Sequence, residues 1–173
     1  MLAYAGIGSR ETPSDILKEM EQFAFAAGAK FILRSGGANG ADSAFEAGAR
    51  RGNGQCEIFL PWKNFNKNTS PLFEVHEKAF EIAATVHPHF KYMKRPAKLL
   101  VARNMHQILG RNLDDPVEFV VCWTKDGCEG HETYSTKTGG TGSAIALASK
   151  CDIPVYNIFS VDSLGLALEH LIQ

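Results

Sequence analysis

The stretch AYAGIG, residues 3–8, decides how this sequence folds. It is a short and almost continuous apolar run, which is typical of a β-strand covered on both faces, as strands are in parallel sheets. We therefore expect a central strand here. Directly after it, residues 12–15 (TPSD) offer a hydroxyl for an N-cap, a proline for the first helical position and an acid that complements the helix dipole. A helix is predicted to follow, with Gly28 as its left-handed stop.

Strand-like and helical segments alternate along the rest of the chain. Strand candidates occupy residues 31–33, 57–60, 117–123 and 153–157, and helical periodicity marks residues 16–27, 41–51, 72–86, 98–109 and 161–171. Such alternation requires crossovers between parallel strands. The sequence therefore predicts an α/β fold, a Rossmann-like three-layer sandwich with a mostly parallel central sheet, formed by residues 1–173 as a single domain.

Bulk composition fits a soluble globular protein and narrows the classes of partner. The chain is 45% hydrophobic and 21% charged, and its formal net charge of −1 gives no global attraction to nucleic acid. The first residues lack the basic region of a signal peptide and are too few to span a membrane. We expect a cytoplasmic protein with no membrane partner, and we do not expect nucleic acid as its ligand.

Cysteine and histidine patterns give little sign of a metal site. The four cysteines show no C-x-x-C spacing, so we interpret them as reduced packing residues. His87 and His89 form an isolated H-x-H, which is more often a surface turn than a metal site. We expect no metal and no resident cofactor.

Three loops rich in glycine or hydroxyl groups follow predicted strands. They cover residues 6–10, 35–42 and 123–143. In an open α/β sheet, ligands occupy the crevice beyond the carboxyl ends of the strands, near the point where the strand order reverses. The candidate ligand-binding residues are Gly8, Ser9, Arg10, Ser35, Gly36, Gly37, Asn39, Asp42, Trp123, Thr138, Gly139, Gly140, Thr141, Gly142 and Ser143.

The segment KTGGTGSAIALA, residues 137–148, is the loop best suited to an anion. Its glycines let the backbone approach a ligand, and the free N–H groups at the start of the alanine-rich helix point toward negative charge. The alternative is that these glycines only make a tight turn and pack the helix closely. ATP hydrolysis and NAD binding are disfavoured, because neither G-x-x-x-x-G-K-[ST] nor G-x-G-x-x-G is present.

Several single residues have two interpretations. Arg10 either binds a phosphate through its planar guanidinium group or is a solvated arginine. Asp42 either caps a helix or binds a ribose hydroxyl. Trp123 flanks a base or belongs to the core. Residues 126–135 form a polar insert that could be a lid or a dimer contact, and the basic stretch 91–98, with Arg103 beyond it, is interpreted as a solvated helix start.

The three loops together resemble the SLOG superfamily of Rossmann-like domains. The resemblance is carried by residues 8–10 (GSR), 35–42 (SGGANGAD) and 138–143 (TGGTGS), in this order along nearly the whole chain. It implies a nucleotide-related ligand and a homo-oligomer, a dimer or tetramer. The DNA-processing protein A family often has a basic residue and a histidine where this chain has Asn39 and Glu46. The Lonely Guy enzymes have a proline and a glutamate where it has Thr138 and Ala146.

These observations lead to one main hypothesis and two alternatives. The main one is a protein that binds a nucleotide or nucleotide-derived small molecule, as a sensor or to sequester it. The first alternative is a phosphoribohydrolase acting on nucleoside monophosphates, for which Asp42, Glu46, Asp126 or Glu129 would have to supply the missing acid. The second is a single-stranded DNA binder.

Overall fold

A five-stranded parallel sheet forms the centre of the molecule. The structure is a computed structural model that describes residues 1–172. The strands are β1 (Leu2–Gly8), β2 (Phe31–Ser35), β3 (Cys56–Ile58), β4 (Val120–Trp123) and β5 (Val155–Asn157), in the spatial order β3-β2-β1-β4-β5. The helices are α1 (Ser14–Ala27), α2 (Ala41–Arg51), α3 (Glu77–Val86), α4 (Arg95–Leu109), α5 (Gly142–Lys150) and α6 (Val161–Ile172). This confirms the predicted three-layer Rossmann-like sandwich.

The first strand is central, as its apolar run predicts. Ala3, Ala5 and Ile7 pack in one core with α3, α4 and α5, whereas Tyr4 packs in a second core with α1, α2 and α6. Because successive side chains of a strand point to opposite faces, one seven-residue strand contributes to both cores. Both layers are thus anchored on β1.

The order of the strands reverses between β1 and β4. The chain passes from β1 through β2 to β3 on one side of the sheet and then returns to pair β4 with β1, with Gly8 opposite Trp123 at the end of the register. The Ser9 amide donates to the Trp123 carbonyl at 3.1 Å, which holds the loop after β1 against the end of β4. Open α/β sheets bind ligands at such a reversal, so a site is expected beyond the carboxyl ends of β1 and β4.

Two predictions about helix ends are wrong. The Thr12 hydroxyl does not cap α1, because it donates to the Ser9 carbonyl at 2.7 Å and Pro13 occupies the cap position without a side-chain bond. Gly28 is right-handed, with φ −59°, so it is not a left-handed stop. A Cβ at Gly28 would lie 3.0 Å from the Cα of Gly54, so a close backbone approach accounts for this glycine.

Helix bounds differ from the periodicity at two places. The helix predicted over residues 72–86 begins only at Glu77, because the Leu72 carbonyl accepts the Leu60 amide at 2.8 Å and is held extended beside the end of β3. The helix predicted over 98–109 begins one turn earlier at Arg95, with Pro96 in its first turn.

Within residues 1–172 no helix is both long and apolar enough to cross a membrane. No group of three or more His, Cys, Asp or Glu side chains is arranged to hold a metal ion in the same part of the chain. The four cysteines are unpaired thiols, two of them buried, at Cys122 and Cys128.

Candidate functional site

The loop after β1 is fixed against its neighbours and exposes the side chain of Arg10. A Cβ at Gly8 would lie 2.7 Å from the Cβ of Ala41 and 3.0 Å from the Trp123 carbonyl oxygen, so only glycine fits there. The Ser9 carbonyl accepts the Ala41 amide at 3.3 Å, which joins the loop to the start of α2. Arg10 is exposed, and no hydrogen bond or ion pair of its side chain is formed within residues 1–172.

The loop after β2 is closed. Ser35 is fully buried and its hydroxyl donates to the Gly6 carbonyl at 2.6 Å. A Cβ at Gly36 would lie 2.2 Å from Nη1 of Arg103, and one at Gly37 would lie 2.8 Å from Leu60. Gly36 and Gly37 are therefore buried beneath side chains, and glycine serves close packing at both positions.

Asp42 lies beneath this closed loop rather than at the surface. It is 4% exposed, and its carboxylate accepts the Ala38 amide at 3.3 Å. Burial raises the pKa of Asp42 to about 6, against the opposing effects of the Arg103 charge and of hydrogen bonds from the Ala38, Gly8 and Gly36 amides. This carboxylate fastens the loop backbone to the first turn of α2.

Asn39 is exposed at the tip of the loop after β2, where its side-chain oxygen accepts from Asn66 at 2.8 Å. The same Asn66 amide donates to the Gly37 carbonyl at 3.1 Å. The tip of the loop is therefore tied to the segment that follows β3.

The glycine turn that leads into α5 is open. Gly139 and Gly140 are exposed, and a Cβ built on either would meet no atom within 4 Å. Gly139 has a left-handed φ of +72°, which favours glycine, and a short 3-10 turn, Gly139–Thr141, precedes α5. The Gly142 amide donates to the Gly139 carbonyl, but the Gly139 and Gly140 amides donate no backbone hydrogen bond within residues 1–172, so these two N–H groups are available to a ligand.

The residues around this turn are held by side chains from elsewhere. Thr138 is buried, and its hydroxyl donates to Asp126 at 2.7 Å. Burial raises the pKa of Asp126, but hydrogen bonds from the hydroxyls of Thr138, Thr124 and Ser135 outweigh it and lower that pKa overall. An ionised Asp126 therefore positions the turn. The polar insert thus serves as a support for the glycines.

Two buried side chains of α4 join the loops, although neither is among the predicted site residues. Asn104 donates to the Gly140 carbonyl at 2.8 Å and to the Ser143 hydroxyl at 3.0 Å. Arg103 donates to the Gly36 carbonyl and, at 3.0 Å, to the Phe59 carbonyl. Arg103 is only 5% exposed, so it does not belong to a solvated basic stretch.

A signal for these residues exists in the sequence of α4. Residues 101–108 (VARNMHQI) mix apolar and polar side chains around the whole helix, and all eight are buried. A helix that is buried on every side must find partners for its polar groups, and at the end of a parallel sheet those partners are loop carbonyls.

The remaining predicted residues lie inside the fold. Trp123 is 7% exposed and packs in the core shared with α1 and α2, 6.5 Å from the Phe159 ring. Thr141 and Ser143 are buried at the start of α5. A Cβ at Gly142 would lie 2.1 Å from the Tyr134 ring, so this third glycine of the turn is a packing glycine.

The four carboxylates considered as acids for glycosidic cleavage all have partners in the fold. Asp42 accepts the Ala38 amide, Glu46 accepts from Arg50 and Asn68, Asp126 accepts from Thr138 and Ser135, and Glu129 accepts from the Asn157 amide and the Ser163 hydroxyl. Each therefore has a defined structural role.

No protein-family model, no curated protein and no solved structure matches this chain.

Proposed function

We propose that this protein binds a nucleotide or nucleotide-derived small molecule, with a phosphate at the open glycine turn before α5. The observation that carries the proposal is the free space over Gly139 and Gly140, next to amides that start a helix. Such amides, together with the helix dipole, attract an anion. The position also supports it, since the turn belongs to the connection that follows β4, beside the reversal of strand order.

The proposal is limited to part of the predicted site. Arg10, exposed on the loop after β1 and free of partners in the described chain, is a second group suited to a phosphate. Residues 35–37 and Asp42 would not contact the ligand. They would hold the loops in place, since the Ser35 hydroxyl and the Asp42 carboxylate already form hydrogen bonds within the fold. The motif resemblance to the SLOG superfamily adds support for a nucleotide over other phosphate esters.

Binding is proposed rather than cleavage, because the candidate acids are engaged in the fold. Incubation with nucleoside monophosphates, followed by chromatography, tests this choice. Intact nucleotide after incubation agrees with a binding protein, whereas release of free base would establish a phosphoribohydrolase.

The binding site itself is tested with a charge placed in the turn. In Gly140→Asp the new carboxylate has free space and repels a phosphate, so we expect affinity for nucleoside monophosphates to fall at least tenfold by isothermal titration. Gly165→Asp is the matched control, since a Cβ there also meets no atom within 4 Å, and we expect it to bind like wild type. Equal affinity of Gly140→Asp and wild type would refute the site.

We also propose a homo-oligomer in a cytoplasmic setting. Phe159 and Val161, which are 57% and 90% exposed, follow the carboxyl end of β5, at the end of the sheet that carries the proposed site. Apolar side chains exposed in this way are suited to an interface between subunits. Light scattering on the purified protein tests the oligomer, and a mass equal to one chain at micromolar concentration would contradict it.

A further inference from the structure

A cavity of about 320 Å³ lies beside the second half of α5, between that helix, the end of α3 and the polar insert. Its volume is at the lower end of the range for small-molecule pockets. None of the predicted phosphate-binding residues lines it. Ala146 and Lys150, one and two turns after the start of α5, form its α5 side.

The polar groups that line this cavity are hydrogen-bond donors or cations. They are His87, His131, Tyr134 and Lys150, together with Thr85, whose hydroxyl already donates to the Ile82 carbonyl at 2.7 Å. None of the lining residues within residues 1–172 is a carboxylate. Lys150 donates through Nζ to the Thr85 carbonyl at 3.0 Å, which uses one of its three N–H bonds and fixes the ammonium group at the edge of the cavity. Its other two N–H bonds have no partner within residues 1–172 and are available to a ligand.

The histidines are oriented by their neighbours. The His89 amide donates to Nδ1 of His87 at 3.3 Å, so the neutral ring carries its proton on Nε2 and is a donor there. Burial, with a contribution from His89, lowers the pKa of His87, which favours this neutral form at pH 7. His131 is held through Nδ1, 3.0 Å from the Ser149 hydroxyl.

Tyr134 supplies a fourth group. Its ring lies 6.2 Å from the His87 ring at an interplanar angle of 69°, and it packs against Gly142 on α5. The ring is therefore fixed, while the hydroxyl forms no hydrogen bond within residues 1–172. The apolar part of the lining comes from Ala84, Val86 and Pro88, together with Ala146.

We propose that this cavity binds a small organic anion, a carboxylate or a phosphate ester, independently of the glycine turn. The anionic group lies at Lys150, with the two imidazoles and the Tyr134 hydroxyl as further donors, and the carbon body lies against the apolar part of the lining. A cation is disfavoured, because the lining within residues 1–172 offers the Lys150 ammonium group and no carboxylate.

The test is an NMR titration of the ¹⁵N-labelled protein with benzoate and, separately, with phenyl phosphate. We expect one or both probes to shift the amides of Thr85, His87, His131 and Lys150. The tighter probe identifies the anionic group. Lys150→Met keeps the side-chain length and removes the charge, so we expect its affinity to fall tenfold or more. His131→Gln is a second variant, for which we also expect weaker binding.

Lys30→Met is the matched control, because Lys30 is an exposed lysine in the turn after α1, and we expect it to bind like wild type. Absence of shifts at the cavity amides up to millimolar probe, or equal affinity of Lys150→Met and wild type, would overturn the proposal. The amides of Gly139 and Gly140 are followed in the same spectra. Failure at the cavity is thus distinguished from failure at the glycine turn.

Discussion

The loop after β2 and the turn before α5 are both rich in glycine and lie in the same part of the sheet, yet their glycines have different surroundings. Gly36 lies beneath Arg103, and a Cβ there would lie 2.2 Å from the guanidinium. Gly139 and Gly140 face free space. Glycine allows close packing in the first loop and exposes backbone in the second. Glycine content alone therefore does not identify a binding loop.

The largest effect is expected from the side chain that closes the first loop. In Arg103→Met the carbonyls of Gly36 and Phe59 lose their donor, and the buried Asp42 carboxylate loses the nearby positive charge. We expect the free energy of unfolding in urea to fall by about 3–5 kcal/mol.

The matched control for that variant is Arg50→Met. Arg50 is an exposed arginine paired with Glu46 one helical turn away, so we expect a change within about 0.5 kcal/mol. A loss below about 1 kcal/mol for Arg103→Met would mean that the loop after β2 does not depend on this side chain.

A pH effect is expected from the same loop. Burial raises the pKa of Asp42 from 3.8 to about 6, so between these values the folded chain keeps a proton that the unfolded chain has lost. The free energy of unfolding of the wild type should therefore fall as pH rises through this window, by about 3 kcal/mol. Asp42→Asn lacks this contribution. The free energy of unfolding in urea is measured for both proteins between pH 4 and pH 7. We expect the values for wild type to fall relative to those for Asp42→Asn as pH rises, and a constant difference between the two would contradict the raised pKa of Asp42.

Three alanine substitutions compare the two loops directly. Gly36→Ala forces a buried Arg103 and Gln107 to move, and we expect a loss of about 1–3 kcal/mol in the free energy of unfolding. In Gly139→Ala the new methyl group has space, but the left-handed φ disfavours alanine, so we expect a loss of about 1 kcal/mol in the free energy of unfolding. In Gly140→Ala the methyl group has space and φ is not left-handed, so we expect the free energy of unfolding to change by no more than about 0.5 kcal/mol. Thermal or urea unfolding measures all three, and a reversed order would remove the distinction between the loops.

The carboxylates show how tertiary contacts change the meaning of a residue. From the sequence, Asp126 is a candidate acid in a polar insert. In the fold it accepts the Thr138 and Ser135 hydroxyls and so fixes the glycine turn. Glu129 likewise accepts the Asn157 amide at the end of β5. The insert is therefore attached to the glycine turn through Asp126 and to the end of β5 through Glu129.

The sequence by itself determined the fold class, because the alternation of apolar strands and amphipathic helices depends on local periodicity. It also determined the central place of residues 3–8, since a strand that is apolar on both faces must be covered on both. The helix at residues 41–51 was found with its bounds, as α2. These features follow from spacing along the chain, which a single sequence contains.

Tertiary structure alone decided which glycines are open and which are covered. Arg103 on α4 covers Gly36 and donates to its carbonyl across 67 residues of the chain. Asn104 on α4 supports the open turn and donates to the Gly140 carbonyl across 36 residues. The mixed polar and apolar sequence of α4 indicates that such side chains need partners, but it does not identify the partners, because these depend on how α4 packs beside the loops. For the same reason Gly28, which has the spacing of a helix stop, is explained only by its approach to Gly54.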